Sequence, residues 1–271
     1  MLLLFNFCIF EIKSKTLICM AGHSKWANIK HRKGAQDKKR AKQFTRAIKE
    51  ITVAIKEGNS ADPETNPTLR NAITNAKGVN MPKDTIERAI KKASGADADQ
   101  YEEVSFEGYG PYGIAIFVEC TTDNTNRTVA AVRSIFSKND GSLGTNRSLE
   151  FLFDRKGVFT IEVGNLNKSI EKLELELIEA GATDFEKEDE LLTIYCDFES
   201  FGNLSSQLEE FEVEVKNAEI QHIPLNTTRL PLEQGIRLLH IIEKFEDNED
   251  VQNVYHTLKI TDELMQAYEN E

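Results

Sequence analysis

Hydrophobic residues in the N-terminal part of the chain recur at spacings of three and four, the period of an amphipathic helix. One such stripe runs through residues 38–57 and comprises Ala41, Phe44, Ile48, Ile51 and Ile55. A helix is therefore predicted there, with Asp37 as its N-cap and Gly58 as its stop. Two shorter helices should follow, one after the cap Asn66-Pro67 and one from Pro82 to Gly95.

Beyond Tyr101 the hydrophobic pattern changes to a mixture of strands and helices. Apolar runs at 113–120 and 149–153 predict buried strands, and the segment between them predicts a helix capped near Asp123 or Asn124. From Gly157 the pattern gives a βαββαβ succession, with a strand through Phe211, Val213 and Val215 as its last element. In the tail, a helix led by Pro231 and a strand in "EDNEDVQNVYHT" should complete the sheet begun at 104–153.

The order of these elements predicts an α+β fold, with an N-terminal three-helix domain followed by two small mixed α/β, sandwich-like domains. The expected boundaries are 20–97 for a basic helical domain, 98–154 with 223–271 for a discontinuous α+β domain, and 155–222 for a βαββαβ-like domain inserted into it. Each of these pieces is long enough to form a hydrophobic core of its own.

The first nineteen residues are set apart from this scheme. Their apolar stretch of about ten residues is too short to span a bilayer. No basic segment precedes it and no small-residue cleavage site follows it, as a signal peptide would require. They contain no Arg, as a mitochondrial presequence would, and Cys19 lacks the small residue expected before a lipidated cysteine. We interpret 1–19 as an over-extended start, with the functional protein beginning at Met20.

Charge is distributed very unevenly along the chain, whose net charge is −12. Residues 21–50 carry ten lysines and arginines against only Asp37 and Glu50, whereas residues 101–271 carry a net charge of −21. An acidic body is repelled by nucleic acid and by anionic membranes, so a polyanion should meet only the basic N-terminal part. This charge distribution therefore favours binding to a nucleic acid and argues against binding to a membrane.

The candidate nucleic-acid-binding residues lie in this basic part. They are Lys25, Trp26, Lys30, His31, Arg32, Lys33, Lys38, Lys39, Lys42 and Arg46. On a helical wheel Lys38, Lys42, Arg46, Lys49 and Lys56 fall opposite Phe44, which places them on one predicted solvent face suited to phosphate contacts. The alternative for the lysines is an ordinary solvated face, and the alternatives for Trp26 are packing on the helices or stacking on a base.

Other candidate chemistry is weak, and no enzyme, metal or cofactor is expected. Cys8, Cys19, Cys120 and Cys196 form no C-x-x-C pair, and His23 and His31 are eight residues apart without further ligands at metal spacing. The glycines Gly108, Gly110 and Gly113 indicate a turn between strands rather than a phosphate loop. The polar run Asp123, Asn124, Asn126 and Arg127 is explained by helix capping, and residues 243–250 by a solvated acidic loop or a contact with a basic protein.

Five motifs in order identify the chain as similar to the YebC/PmpR family. They are "MAGHSKWANIKHRKGAQDKKRAKQFT", "NMPKDTIERAIKK", "YEEVSFEGYGP", "TTDNTNRT" and "DVQNVY". The resemblance implies three α+β domains around a cleft and a cytoplasmic, DNA-binding transcriptional regulator. Because the family includes the mitochondrial translational activator of cytochrome c oxidase, it also implies the alternative of a ribosome-associated, RNA-binding translation factor. A hydrolytic enzyme is the remote third alternative.

The chain departs from this family in a few loops. The chain has Gly110-Pro111-Tyr112-Gly113 where the family usually has Gly-Pro-Gly-Gly, and Asn146-Arg147-Ser148 where a small Gly-Ser pair is common. Near the C-terminus it reads "VYHT" followed by "LKITDEL", whereas an Asn often follows the Tyr in the family. The basic part does not depart. No helix-turn-helix with base-reading Arg, Asn or Gln is evident, which favours recognition of backbone and shape. That mode suits structured RNA slightly better and is also compatible with weakly specific DNA binding.

Overall fold

The computed structural model describes residues 36–95, 99–166 and 169–270. The helices in these ranges are α1 Gln36–Gly58, α2 Pro67–Gly78, α3 Lys83–Ala93, α4 Thr125–Lys138, α5 Ile170–Glu179, α6 Phe201–Glu210, α7 Leu232–Glu246 and α8 Asp262–Glu269. The strands are β1 Glu102–Tyr109, β2 Ala115–Thr122, β3 Ser142–Leu143, β4 Phe153–Glu162, β5 Ala182–Glu188, β6 Leu191–Asp197, β7 Val215–Pro224 and β8 Val251–His256. The predicted α+β class is confirmed.

The three N-terminal helices form where the hydrophobic period places them. Their core is built from Ile51, Ala54, Leu69, Ala72 and Ile86. The predicted cap at Asn66 is confirmed, since its side chain accepts a hydrogen bond from the N–H of Leu69 at 3.1 Å. Two details were wrong: α1 begins at Gln36, so Asp37 lies inside the helix, and Ala41 is exposed because the first turns of α1 extend beyond this core.

One sheet has the strand order β3-β1-β2-β8. The predicted completion of this sheet by the tail is confirmed, because β8 pairs antiparallel with β2 and sets Phe117 opposite Tyr255. Helices α4, α7 and α8 bury their apolar residues, including Phe136 and Phe245, against one face of the sheet. Phe117 of β2 and Tyr255 of β8 form a smaller cluster with Leu149 and Phe153, which lie outside this sheet.

The second sheet has the order β5-β6-β4-β7 and confirms the predicted βαββαβ succession. β4 and β6 pair antiparallel, with Phe159 opposite Ile194. Leu173 and Leu177 of α5 and Leu204 and Leu208 of α6 are buried in one core with the sheet. The last strand begins later than predicted, at Val215, because the chain turns after α6 with Glu212 in the left-handed region at φ 55°.

The predicted strand at 149–153 was wrong. Residues Glu150–Leu152 form a short 3-10 turn, and the strand begins only at Phe153. The backbone N–H of Leu149 donates to the carboxylate of Glu107, so it is not available for a strand partner. The apolar run "LEFLF" is buried at Leu149 and Phe153 but exposes Phe151, which a periodic pattern does not distinguish from a strand.

The described chain divides into two compact units. The first unit contains Glu103–Asp154 and His222–Glu271, and the second contains Asp37–Glu102 and Arg155–Gln221. The second unit thus joins the three N-terminal helices with the β5-β6-β4-β7 sheet. Within the described ranges, no helix has the length and apolar character needed to cross a membrane.

Candidate nucleic-acid interface

The structure describes only a part of the predicted nucleic-acid-binding set. Lys25, Trp26, Lys30, His31, Arg32 and Lys33 lie outside the described residues. Lys38 and Lys39 lie on α1, but their side chains fall outside the described part. Lys42 and Arg46 are described and are half-buried, and each interacts with other groups of the chain. These two cations therefore also have a role within the fold.

The face of α1 opposite Phe44 is not a uniformly solvated one. Lys49, which the helical wheel placed on that face, is only 5% exposed, and its ammonium lies 5.4 Å from the centroid of the Tyr101 ring. Thr52 and Val53 of the same helix are also buried. The prediction for Lys49 was wrong because Tyr101 lies on this side of α1, a tertiary contact that a helical wheel cannot contain.

Exposed cations are present elsewhere on these helices. They are Arg40, Lys56, Lys77, Lys83, Arg88, Lys91 and Lys92. Arg40 lies with its guanidinium carbon 5.4 Å from the centroid of the Phe44 ring, on the apolar side of the wheel, which is why the helical pattern omitted it. Lys56 donates to the carbonyl oxygen of Tyr101 at 3.1 Å. The hydrogen bond to Asp99, at 2.6 Å, raises the pKa of Lys92 and keeps it charged.

The helices are fixed to the second sheet through α2. The side chain of Asn75 accepts from the backbone N–H of Ala218 at 2.8 Å and donates to its carbonyl oxygen at 3.1 Å. The same amide donates to Glu50 on α1 at 2.8 Å. At Gly78 an added Cβ would lie 1.7 Å from the carbonyl oxygen of Lys216, so only glycine permits this approach. Within the second unit, α1 is thereby linked through α2 to the sheet.

The polar run at the start of α4 is used within the fold. Asn124 caps the helix by accepting from the N–H of Arg127 at 3.1 Å, which confirms the capping interpretation. Arg127 donates to the carboxylate of Asp250 at 2.8 Å and to Asp123 at 2.7 Å, and these hydrogen bonds raise its pKa. The hydroxyl of Thr128 donates to Asp250 at 2.8 Å. Because these groups satisfy one another, the cluster supplies no nucleophile or base for catalysis.

The acidic stretch 243–250 was predicted to be a solvated loop, and this prediction was wrong for a part of it. Asp250 and Glu246 are buried, and the carboxylate of Asp250 receives Arg127 and Thr128 as described above. The neighbouring Asp247 and Glu249 are exposed, and the sequence does not distinguish these exposed acids from the two buried ones. Asp250 therefore has a structural role, because its buried carboxylate accepts several hydrogen bonds. The predicted contact with a basic protein partner would use the exposed acids of this stretch.

The glycine-rich segment after β1 is a turn, as predicted. Pro111–Gly113 form a 3-10 turn between β1 and β2, with Tyr112 at φ 62° and Gly113 at φ 74°. The N–H of Gly110 donates to the carbonyl oxygen of Ile114 at 2.8 Å and closes the turn. This backbone arrangement connects two strands and differs from the strand–loop–helix arrangement of a phosphate-binding loop.

The described cysteines are buried. Cys120 and Cys196 are free thiols in the two sheets, and burial raises the pKa of Cys196 to about 11, so its thiol is protonated at neutral pH. A protonated, buried thiol is unreactive. Among the residues that the structure describes, no three His, Cys, Asp or Glu side chains are grouped so that they could hold a metal ion.

Comparison with known proteins accounts for nearly the whole chain. A family model described as "TACO1/YebC protein N-terminal domain" matches residues 24–96, and one described as "TACO1/YebC second and third domain" matches residues 101–258. The chain belongs to the TACO1/YebC family. The resemblance inferred from the five motifs is confirmed.

The relatives of this YebC-family chain are similar over their full length. A protein of Amoebophilus asiaticus, named "Probable transcriptional regulatory protein", is 52% identical over 241 residues, which are 88% of this chain and 98% of that protein. A protein of the same name from Natranaerobius thermophilus is 48% identical over 250 residues, 92% of this chain and 100% of that protein. A crystal structure of a conserved hypothetical protein from Aquifex aeolicus superposes with a TM-score of 0.77 at 38% identity, covering 88% and 98% of the two chains.

Proposed function

We propose that this YebC-family protein is a non-enzymatic, cytoplasmic regulator of gene expression that binds nucleic acid through its basic N-terminal helical domain. The observation that carries the proposal is the charge pattern: ten cations against two acids in residues 21–50, in a chain whose residues 101–271 have a net charge of −21. Lysine and arginine bind phosphates without regard to sequence, and counterion release makes such binding favourable. The names of the relatives support the regulatory role.

The proposed contacts are divided between two parts of the domain. Lys25, Lys30, His31, Arg32 and Lys33 precede α1 and are the main phosphate-binding candidates, with Trp26 stacking on a base or sugar. Lys38, Lys39, Lys42 and Arg46 extend the set along α1. Because Lys42 and Arg46 are half-buried and interact within the chain, their share of the phosphate contacts is expected to be smaller.

Duplex DNA is the first candidate target because the relatives are named as transcriptional regulators. RNA, in a ribosome-associated translation factor, is the second, and one observation favours it. The two amides of α2 that resemble base readers, Asn71 and Asn75, hydrogen-bond inside the second unit, to Ser205 and Ala218. In the described α2 these two amides are therefore engaged with the protein, and recognition of backbone and shape, as is typical of structured RNA, requires no base reading by them.

Sedimentation distinguishes these two targets. A lysate is run through sucrose gradients at low and high salt, and this protein is located by immunoblotting. A transcriptional regulator should stay at the top of both gradients and protect a discrete promoter segment from nuclease. A translation factor should co-sediment with ribosomal particles at low salt and be released at high salt, because salt screens phosphate contacts. Absence from both particles and DNA at every salt concentration would contradict the proposed function.

A further inference from the structure

A loop of the first unit, residues 144–151, is held in place by a buried carboxylate. Glu107 on β1 is only 3% exposed, and its two carboxylate oxygens accept hydrogen bonds from the backbone N–H groups of Arg147 at 2.7 Å and Leu149 at 2.5 Å. The N–H of Gly144 donates to the backbone carbonyl oxygen of Glu107 at 2.7 Å. A carboxyl group buried with backbone N–H groups as its partners indicates that the conformation of this loop matters.

The loop is also anchored at its other end. Leu149 is fully buried among Phe117, Phe153 and Tyr255, with Leu152 packed against the same cluster. The N–H of Leu225 donates to the carbonyl oxygen of Leu152 at 2.9 Å. Residues between these anchors therefore have little freedom to move, and whatever they expose is presented in one arrangement.

The side chains that the loop exposes are a cation and an aromatic ring. The side chain of Arg147 is 82% exposed, and its backbone occupies the left-handed region at φ 62°, which is strained for a residue other than glycine. Phe151 is 70% exposed in the turn that follows. Thr145 and Asn146, also exposed, add a hydroxyl and an amide. The fold thus maintains a strained, outward-facing arginine and an outward-facing phenylalanine by means of buried groups.

We infer that the 144–151 loop binds an unpaired nucleotide, with Phe151 stacking on the base and Arg147 contacting the phosphate or stacking beside it. The inference rests on the proposed function, because it adds a second contact to a nucleic acid held by the N-terminal domain. A base has an accessible face for an aromatic side chain only when it is unpaired, so the loop should discriminate between single strands and duplexes. Thr145 and Asn146 can hydrogen-bond base edges.

The charge around the loop is acidic, so any attraction for a nucleotide must come from Arg147 and Phe151 themselves. Residues 103–154 and 222–271 contain seventeen acidic and eight basic residues, so the first unit as a whole repels a polyanion. Arg147 supplies the positive charge of this loop, and its Nε lies 3.9 Å from the exposed carboxylate of Glu150, with which a phosphate would compete. Fixing the loop before binding also lowers the entropy lost when a ligand binds.

The test uses the full chain and three fluorescent 12-nucleotide probes of one sequence: single-stranded RNA, single-stranded DNA and duplex DNA. The variants are R147G, R147Q and F151L, and the matched control is R133Q, which removes the same charge from an exposed position of α4 in the same unit. We expect R147Q and F151L to weaken binding of a single-stranded probe by about tenfold and binding of the duplex by less than twofold. R133Q should leave all three affinities unchanged.

R147G separates binding from stability. Glycine adopts φ 62° without strain, so this variant should unfold at the same or a higher temperature than the parent chain while losing affinity as R147Q does. A difference in affinity between the single-stranded RNA and the single-stranded DNA identifies which sugar, ribose or deoxyribose, the loop prefers. If the parent chain binds the probes and R147Q and F151L bind as it does, the inference is wrong and the proposed function stands. If the parent chain binds no single-stranded probe, the inference is wrong, and the proposed function is decided by the sedimentation experiment.

Discussion

The side-chain amide of Asn75 pairs with the backbone of Ala218 as a neighbouring strand would. It accepts from the N–H of Ala218 at 2.8 Å and donates to the carbonyl oxygen at 3.1 Å. Ala218 lies on β7, which is at the edge of its sheet, where unpaired backbone groups invite pairing with another chain. Asn75 therefore covers a part of this edge and fixes the N-terminal helices to the second sheet.

Replacing Asn75 should destabilise the second unit. N75A leaves the buried N–H and carbonyl groups of Ala218 without their partner and should lower the free energy of unfolding by about 2 kcal/mol. N75D should cost more, because a carboxylate would face both the carbonyl oxygen of Ala218 and Glu50. Urea unfolding measures both changes. N71A is the control, since Asn71 makes one long bond of 3.3 Å with Ser205, and an equal loss for N71A and N75A would contradict the assignment.

The carboxylate of Asp250 should matter far more than that of Asp123, although both contact Arg127. The side chain of Asp250 is 8% exposed and also accepts from Thr128, whereas that of Asp123 is 53% exposed. D250A should lower the free energy of unfolding by about 2 kcal/mol through lost hydrogen bonds to a buried charged group. D123A should change it by less than about 0.5 kcal/mol, as is usual for exposed ion pairs. Thermal unfolding of the two variants compares them, and similar losses would show that Asp250 is not the anchor.

Glu107 should control the rigidity of the 144–151 loop. In E107Q an amide NH2 replaces one of the two accepting oxygens and faces a backbone N–H donor, so the loop should loosen between Gly144 and Leu149. Trypsin should then cleave after Arg147 several times faster than in the parent chain, which mass spectrometry of timed digests can follow. E102Q is the control, because Glu102 lies on the same strand β1 with an exposed side chain. Equal cleavage rates in the parent chain and in E107Q would contradict the conclusion that Glu107 holds the 144–151 loop in place.

The helices and most of the strands were predictable because they follow from local periodicity. Ile51, Leu69 and Ile86 recur at helical spacing, and all three are buried where α1, α2 and α3 meet. The pattern of the tail located β8, and β8 pairs with β2 as the predicted completion of the sheet requires. The division of the chain into three domains stays a prediction.

The polar contacts could not be predicted in the same way. The burial of Lys49 depends on Tyr101, fifty-two residues further along the chain, and that of Asp250 depends on Arg127. Helical and strand periods describe neighbours in sequence, so they contain no information on such pairs. The break at Leu149 has the same origin, since the carboxylate of Glu107 competes with strand pairing across about forty residues.

The central claim is that nucleic acid binds to the basic part that precedes and begins α1. It is tested most directly by the salt dependence of affinity, measured on one duplex DNA and one structured RNA for two matched triple variants. K25Q/K30Q/K33Q removes three charges from the proposed interface, and K77Q/K83Q/K91Q removes three exposed charges from α2 and α3 of the same domain. The account predicts that the first variant lowers the slope of log K against log salt by about 2 to 3 and that the second leaves it nearly unchanged. An unchanged slope for the first variant, or equal losses for both, would contradict it.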